Sequence, residues 1–245
     1  MKLRPGTTLR DADLSAVAFA DLDLTGAVFE RCKISDANIL GACFEGARFS
    51  ACRIVRSRFA NADLRDAVFE DCIFADDQGH TGAQFTFSRL EQARFIRSDL
   101  SFAKIERSDL YGMEMETCNL RGSAFSKVDF ARAFGKKVVK WAGAIKGCNM
   151  ELADLSDIRM PGCDLNNSRF REAALFNADF EGADLRGCDF VQTLTAGAKL
   201  ARADMRGADL SGMNLMDLAT FDGMIVSADQ QRQLLTGIGV DVCPE

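Results

Sequence analysis

The sequence predicts an all-β solenoid of square coils, about ten of them, closed at its C-terminal end by a short α-helix. An apolar residue recurs at every fifth position over most of the 245 residues, a small residue usually lies two positions earlier, and similar residues align in columns of twenty. A period of five fits neither a helix, with 3.6 residues per turn, nor a strand, with a period of two. A period of five fits a solenoid, in which short edges are joined by turns and the coils stack on one another.

The repeat occurs in three runs, from Leu9 to Phe74, from Phe85 to Phe130 and from Ile145 to Leu215. Of these 39 apolar positions, which we call core positions, 38 hold Leu, Ile, Phe or Met, and Thr195 is the exception. Ala, Ser, Cys, Thr or Gly fills 33 of the 39 sites two residues earlier, which we call small positions. If the residues at core positions and at small positions all point inward, four five-residue edges make one coil. Ten such coils stacked at strand spacing give a rod about 47 Å long.

The unit Ala-Asp-Leu, followed by two variable residues, recurs at 12–14, 62–64, 153–155, 183–185 and 208–210. It resembles the repeat of the pentapeptide-repeat family. The resemblance implies a right-handed quadrilateral β-helix. We expect this solenoid to span residues 1–222, interrupted at 75–84 and 131–144, and to be followed by a distinct C-terminal helix and tail at 223–245.

The composition offers little for catalysis or metal binding. Seven of the nine cysteines occupy small positions, where a buried thiol packs like a small apolar residue. There is no CxxC pair, and the single histidine leaves few ligands for zinc. Without a nucleophile motif or a glycine-rich phosphate loop, we predict no catalytic residue, no metal and no cofactor. The absence of a long apolar run predicts a cytoplasmic protein without membrane contact.

The first interruption, residues 75–84, contains no convincing core position and shifts the repeat by one residue. Asp76, Asp77 and His80 lie in it, and its composition suits an exposed turn. Two interpretations are open. The segment is either a tolerated surface insertion or a partner-binding loop on a rigid scaffold.

The second interruption, residues 131–144, keeps the five-residue frame but places Lys140 at a core position. Lys136, Lys137 and Lys140 flank Trp141, the only tryptophan. An exposed aromatic among cations is a candidate contact site. Alternatively, the apolar residues, which are Phe134, Val138, Val139 and Trp141, fold back onto the rod while the lysines stay in solvent.

The tail begins with a capping-box pattern, in which Ser227 precedes Gln230 by three residues. It predicts a helix from about 228 to 236 that stops at Gly237 or Gly239. We expect Leu234, Leu235 and Ile238 to share one face, which both plugs the core and pairs with a second copy; Gln230 completes the candidate dimer helix.

Residues 223–242 are similar in pattern to the tail of the Qnr/MfpA-like branch of the family. That resemblance implies a homodimer formed through the helix. It also implies mimicry of duplex DNA and binding to DNA gyrase or topoisomerase IV, with modulation of the enzyme or its protection from quinolones, and no direct binding of nucleic acid.

The charge is uneven along the chain. Residues 1–144 carry 21 Lys and Arg against 20 Asp and Glu, a net of +1, whereas residues 145–245 carry 9 against 16, a net of −7. Two copies joined tail to tail would form an acidic centre that could compete for a basic DNA-binding groove. The candidate acidic surface comprises Asp164, Asp184, Asp204, Asp189, Asp209, Asp179 and Glu181. Ordinary solubility charge is the competing interpretation.

Arginines occupy the site just before the core position in the N-terminal half, where the family prefers Asp or Asn. They are Arg48, Arg53, Arg58, Arg89 and Arg94. This departure argues against uniform DNA mimicry. It fits better a second functional hypothesis, a cytoplasmic scaffold that binds an unrelated protein through the two interruptions.

Overall fold

The computed structural model describes residues 3–76, 81–135 and 138–243. Short strands account for almost all of its regular structure. The strands are β1 (Thr8–Arg10), β2 (Val28–Glu30), β3 (Lys33–Ser35), β4 (Asn38–Leu40), β5 (Arg48–Ser50), β6 (Arg53–Val55), β7 (Arg58–Ala60), β8 (Val68–Glu70), β9 (Gln84–Thr86), β10 (Arg94–Ile96), β11 (Lys104–Glu106), β12 (Glu114–Glu116), β13 (Ala124–Ser126), β14 (Ala131–Phe134), β15 (Val138–Trp141) and β16 (Ala144–Lys146). None of the helical segments in the described ranges is long and apolar enough to cross a membrane.

The strands stack as parallel sheets along a four-sided rod. Face 1 carries the seven-stranded sheet β1-β2-β5-β8-β10-β12-β16, face 2 carries the pair β3-β6, and face 3 carries the five-stranded sheet β4-β7-β9-β11-β13. Face 4 is joined by isolated parallel bridges, which run from Asp23 to Asp129 over successive coils. The predicted quadrilateral β-solenoid is confirmed.

The coils can be counted along face 1. Six steps lie within the seven-stranded sheet, between Thr8 and Ala144, and four isolated bridges continue the same column to Ile225. The ten steps agree with the number of coils predicted from the repeat.

The two interruptions lengthen single coils without breaking the stack. Val68 pairs with Arg94, 26 residues later, so the first interruption adds six residues to a coil of twenty. Glu114 pairs with Ala144, 30 residues later, so the second adds ten. Six residues are one five-residue edge plus one, which explains the shift in frame, and ten are two edges, which explains why the frame is kept.

A further irregularity near the C-terminus was not predicted. Lys199 pairs with Thr220, 21 residues later. The extra residue is taken up by a 3-10 turn at Leu215–Asp217, where Asn214 Oδ1 accepts the N–H of Met216 at 2.9 Å.

The core consists of the core positions and small positions, as predicted. Every core position from Leu9 to Leu210 is buried. The Phe49 ring is stacked between those of Phe29 and Phe69, with centroids 4.6 Å away on each side, because equivalent residues of adjacent coils are one strand spacing apart. Burying a phenylalanine contributes roughly 1.5–3 kcal/mol, so these columns supply much of the stability.

The cysteine prediction is also confirmed, since the seven cysteines at small positions are buried and free. Five of these thiols, those of Cys32, Cys52, Cys72, Cys118 and Cys188, donate to a backbone carbonyl of the coil before. For example, Cys52 Sγ donates to Phe29 O at 3.3 Å and Cys72 Sγ to Phe49 O at 3.4 Å. Burial raises the pKa of Cys163 and Cys188 to about 12.

The C-terminal segment closes the rod. A 3-10 turn at Ala228–Gln230 leads into the helix α1 (Gln231–Gly237). Gln230 Oε1 accepts the backbone N–H of Ser227 at 2.6 Å, as the capping-box pattern predicts. The Gln230 amide donates to Met205 O and Ala208 O, both at 2.7 Å, so it caps carbonyls of the last coils.

Candidate functional site

The second interruption forms a β-hairpin. β14 and β15 pair in antiparallel register, with Ala131 opposite Trp141 and Phe134 opposite Val138. The hairpin leaves the rod after Phe130 on face 4 and the chain re-enters it at face 1. Lys136 and Lys137 lie outside the described residues.

Arg132 ties the hairpin to face 4 of the rod. Its guanidinium donates to Glu91 Oε1 at 3.0 Å and lies over the Tyr111 ring, 4.5 Å from the centroid. Glu91 is buried and receives a second cation, Arg89, at 3.2 Å. At the other end of the hairpin, the half-buried Trp141 stacks against Arg159, with the guanidinium carbon 4.6 Å from the ring.

The outer surface of the hairpin is apolar and cationic. Phe134, Val138 and Val139 are 47%, 48% and 57% exposed. Lys140 is exposed and its ammonium group lies 5.4 Å from the Phe134 ring centroid. Of the four apolar side chains, Trp141 packs against the core of the rod and the Phe134 ring lies 6.2 Å from that of Tyr111, so the fold-back interpretation describes these two in part. Val138 and Val139 remain exposed. Trp141 is only partly exposed, and Phe134 is the more exposed aromatic of the hairpin.

The carboxylate of Glu91 is only partly satisfied by its surroundings. Its Oε2 is buried and has no hydrogen-bond partner within the described chain. Close by, burial raises the pKa of Asp109, and the negative charge of Glu91 adds to this effect. A carboxylate buried at this point depends on its two arginines, so Glu91 is a positioning residue for the hairpin.

The first interruption is described only at its ends. Asp77 and His80 lie outside the described residues. The backbone N–H of Asp76 donates to Thr81 O at 3.0 Å, which brings the two ends of the segment together.

The acidic columns form in the predicted register. Asp164, Asp184 and Asp204 are bridged in sequence on face 1, and Asp189 and Asp209 on face 2. However, five of the seven predicted acidic residues lie within 4 Å of a Lys or Arg nitrogen, namely Asp179, Glu181, Asp184, Asp189 and Asp204. Asp164 and Asp209 have no such cation among the described residues.

Arginines therefore offset much of the charge of the acidic columns. The guanidinium of Arg186, which donates to Asp184, holds the pKa of that carboxyl below its ordinary value, and Arg206 does the same to Asp204. These side chains are half-exposed, so each pair adds little to stability. They nevertheless break the continuity of a purely acidic stripe.

The arginine sites of the N-terminal half are also partly paired across coils. Arg94 Nε lies 3.1 Å from Glu114 Oε2, and Arg89 reaches both Asp63 and Glu91. The surface of the N-terminal half therefore carries positive and negative side chains side by side.

The terminal helix does not present the predicted face. Leu234 and Gln230 are buried against the last coil, so neither is available to a second copy. Leu235 and Ile238, three residues apart, are exposed, and Val240 follows them. The residues predicted to share one apolar face lie on different sides of the helix, because Leu234 and Leu235 are about 100° apart around its axis.

One cluster of potential metal ligands lies on face 4. Cys43, Glu45 and Asp63 place one ligand atom each within 4.8 Å of one another. Arg65 lies in the same place, 2.7 Å from Glu45 Oε2 and 2.5 Å from Asp63 Oδ2. The guanidinium thus supplies the positive charge that these carboxylates require.

Sequence reasoning missed Glu91, Arg132, Tyr111 and Arg159 as the residues that hold the hairpin. The available signal was weak: Tyr111 is the single tyrosine of the chain, and it lies one coil from the interruption.

Comparison with known proteins decides the family. A family model described as pentapeptide repeats matches the chain in eight copies, over residues 12–50, 81–112, 153–192 and 185–217. The chain belongs to the pentapeptide-repeat family. It is 25% identical over 147 residues to the pentapeptide repeat protein QnrB4 of Escherichia coli, an alignment that covers 58% of this chain and 68% of that protein.

Two solved structures share the fold of this pentapeptide-repeat protein over nearly its whole length. Full-length QnrB1, a plasmid-mediated fluoroquinolone resistance protein, superposes with a TM-score of 0.71 at 20% identity, covering 98% of this chain and 100% of QnrB1. A trypsin-treated variant of QnrB1 gives a TM-score of 0.72 at 21% identity, with 99% and 100% covered.

Proposed function

We propose that this protein is a non-enzymatic binding protein that acts on a type II topoisomerase, DNA gyrase or topoisomerase IV, as a homodimer, and that it modulates the enzyme or protects it from quinolones. The observation that carries the proposal is the relationship to QnrB4, which extends over 68% of that protein. The quinolone-resistance protein QnrB1 has the same fold from end to end.

The dimer is proposed to form through the outward face of the terminal segment. Leu235 on α1, and Ile238 and Val240 just after it, are exposed there. Two copies joined in this way would place two C-terminal halves, each of net charge −7, next to one another. The resulting acidic centre would favour approach to a basic DNA-binding surface.

We assign the specific contact to the hairpin together with the acidic centre. DNA mimicry by the aspartate columns alone is a weaker proposal, because Arg186 and Arg206 are hydrogen-bonded to two of their members. The hairpin offers exposed Phe134, Val138 and Val139, and exposed aromatic and aliphatic side chains on a rigid support are typical contact residues.

A supercoiling assay with purified gyrase, with and without a quinolone, tests the proposal. We expect the protein either to inhibit supercoiling or to restore it in the presence of the drug. Replacing Phe134 and Val139 by serine should weaken the effect, whereas the control Leu40→Ser, a similarly exposed residue on face 3, should leave it unchanged. Wild-type protein that neither inhibits nor protects gyrase at micromolar concentration would refute the proposal.

A second candidate function is a scaffold for an unrelated protein, bound through the hairpin. The mixed charge of the N-terminal half favours it, since the cross-coil pairs there leave no continuous acidic surface. The two functions are separated by affinity capture with wild-type protein and the Phe134 and Val139 variant. Hairpin-dependent capture of a partner other than a topoisomerase, with no binding to purified gyrase, would favour the scaffold.

A further inference from the structure

The last coils of face 3 carry apolar side chains at outward-facing positions. Leu152, Phe176, Leu194 and Met216 are 43%, 41%, 50% and 76% exposed, and we call these four residues the apolar patch. Leu194 lies one coil beyond Ala174, in a column that begins with Asp154 in this run of the repeat. The four side chains occupy different positions of the repeat on neighbouring coils, and Glu172 and Gln192 follow Leu152 at spacings of twenty.

Three of the four patch residues, Leu152, Phe176 and Leu194, line one groove. Two adjoining depressions, of about 300 and 290 Å³, share Gln192 and Leu194 in their walls. The first extends to Leu152, and the second to Phe176 and Asp217. Polar side chains such as Gln192 and Asn214 also line the groove. Exposed apolar side chains grouped in one place mark an interaction site more often than isolated ones do.

Two exposed carboxylates, those of Glu172 and Asp217, line the groove. Two more, those of Asp154 and Asp157, follow Leu152 closely in the sequence and are exposed, and we call these four groups the rim carboxylates. Asp154 accepts the backbone N–H of Ser156 at 3.0 Å, and Asp157 accepts from the Asn177 amide at 3.1 Å, but none of the four forms an ion pair within the described chain. Three aspartates of faces 1 and 2, namely Asp184, Asp189 and Asp204, differ from them in having an arginine partner.

We propose that the apolar patch binds a basic amphipathic segment of another protein. Its apolar side chains would fill the groove, while its Lys or Arg residues would meet the carboxylates at the rim. If a second copy of this chain bound through the same patch, the rim carboxylates of the two copies would lie close together and repel each other. Nucleic acid or an anionic membrane would meet the same repulsion.

This inference goes beyond the proposed function. The groove lies on face 3, whereas the hairpin packs on face 4 and the dimer is proposed to form at α1. Binding at the patch therefore does not depend on whether the protein recognises gyrase, and the two proposals can fail separately.

The test uses the full-length protein and two fluorescent peptides of leucine and lysine. One peptide forms an amphipathic helix, and the other has the same composition in an order that spreads leucine around the helix. Fluorescence anisotropy at low and moderate salt measures both affinities. We expect the amphipathic peptide to bind at least about tenfold more tightly than its reordered control, because only it can fill the groove and reach the rim together.

Two variants locate the site. The double variant Phe176→Ser and Leu194→Ser should weaken binding of the amphipathic peptide about tenfold or more, the effect expected for central contact residues. The near-isosteric double variant Asp157→Asn and Glu172→Gln should weaken binding and reduce its salt dependence.

Matched controls lie outside the patch. Leu40→Ser changes a residue that is 42% exposed in the N-terminal half of face 3, and Glu116→Gln removes an exposed carboxylate from face 1. Both should bind like the wild type. Equal affinity for the two peptides, or unchanged binding by either patch variant, would overturn the proposal. If the serine variant loses its fold by circular dichroism, the near-isosteric carboxylate variant decides the question.

Discussion

Replacing Arg132 by alanine should release the hairpin from face 4. Arg132 donates to Glu91 Oε1 at 3.0 Å and stacks on Tyr111 at 4.5 Å. The Glu91 side chain is only 6% exposed, whereas that of Arg132 is 41% exposed. The substitution therefore leaves a buried carboxylate with one cation, Arg89, in place of two.

The size of the effect follows from these contacts. Breaking a fully buried ion pair costs about 3–5 kcal/mol, but the exposure of Arg132 and the remaining Arg89 reduce this to about 1–2 kcal/mol. Loss of the cation–π contact with Tyr111 adds about 0.5–1 kcal/mol. A total of about 2 kcal/mol shifts the docking equilibrium of the hairpin roughly 30-fold toward the released state.

Hydrogen exchange monitored by mass spectrometry or NMR measures this shift. Protection of the amides in β14 and β15 should fall about 30-fold in the Arg132 variant, while amides of the adjacent coils stay protected. Arg121→Ala is the matched control, because Arg121 pairs with Glu151 at 3.4 Å outside the hairpin. Unchanged exchange in β14 and β15, or the same loss in the Arg121 variant, would refute the anchoring role of Glu91.

Four further outcomes are expected. Phe49→Ala removes a ring stacked at 4.6 Å on both sides and should cost about 3–5 kcal/mol in the free energy of unfolding by urea; a loss below about 1 kcal/mol would contradict the packing described. A thiol reagent should modify the exposed Cys243 in the native protein, whereas the seven buried thiols should react only after unfolding. The folded-state pKa of Cys163 and Cys188 is raised from 9.0 to about 12, so the stability that this difference contributes is complete below pH 9 and lost as the pH rises toward 12; the melting temperature of a double alanine variant should fall less over that range, and equal falls would argue against burial as the cause. Leu235→Glu should give monomers in analytical ultracentrifugation if the outward face of α1 forms the dimer, and an unchanged mass would exclude that face.

The solenoid could be predicted because each coil repeats the same local physics. An apolar residue at every fifth position has no other way to reach a common core, and a small residue two positions earlier leaves room for it. The same argument gave the columns Phe29–Phe49–Phe69 and Asp164–Asp184–Asp204, since residues twenty apart must stack once the coil is known.

The hairpin could not be predicted because the repeat gives no information where it stops. Phe134, Val138 and Val139 show no alternation that distinguishes a strand pair from a loop folded onto the rod. Their position depends on Arg132 reaching Glu91, 41 residues earlier, and that contact is set by side-chain geometry between different coils of face 4.

The existence of the terminal helix was predicted, but its orientation was not. Leu234 and Leu235 are adjacent in sequence, and either could have faced the rod. The hydrogen bonds from Gln230 to Met205 O and Ala208 O fix the rotation of the segment, and Leu234, one turn later, is then buried. The orientation of the helix therefore depends on the carbonyl groups of the last coils, and the repeat pattern carries no information about them.

Direct binding to purified gyrase tests the central claim of this account. The wild-type protein, immobilised for biolayer interferometry, should bind gyrase at micromolar concentration, and duplex DNA should compete with it. Replacing Phe134 and Val139 by serine should weaken binding, whereas Leu40→Ser should not. Absence of binding by the wild-type protein under these conditions, or binding that the hairpin variant retains in full, would contradict it.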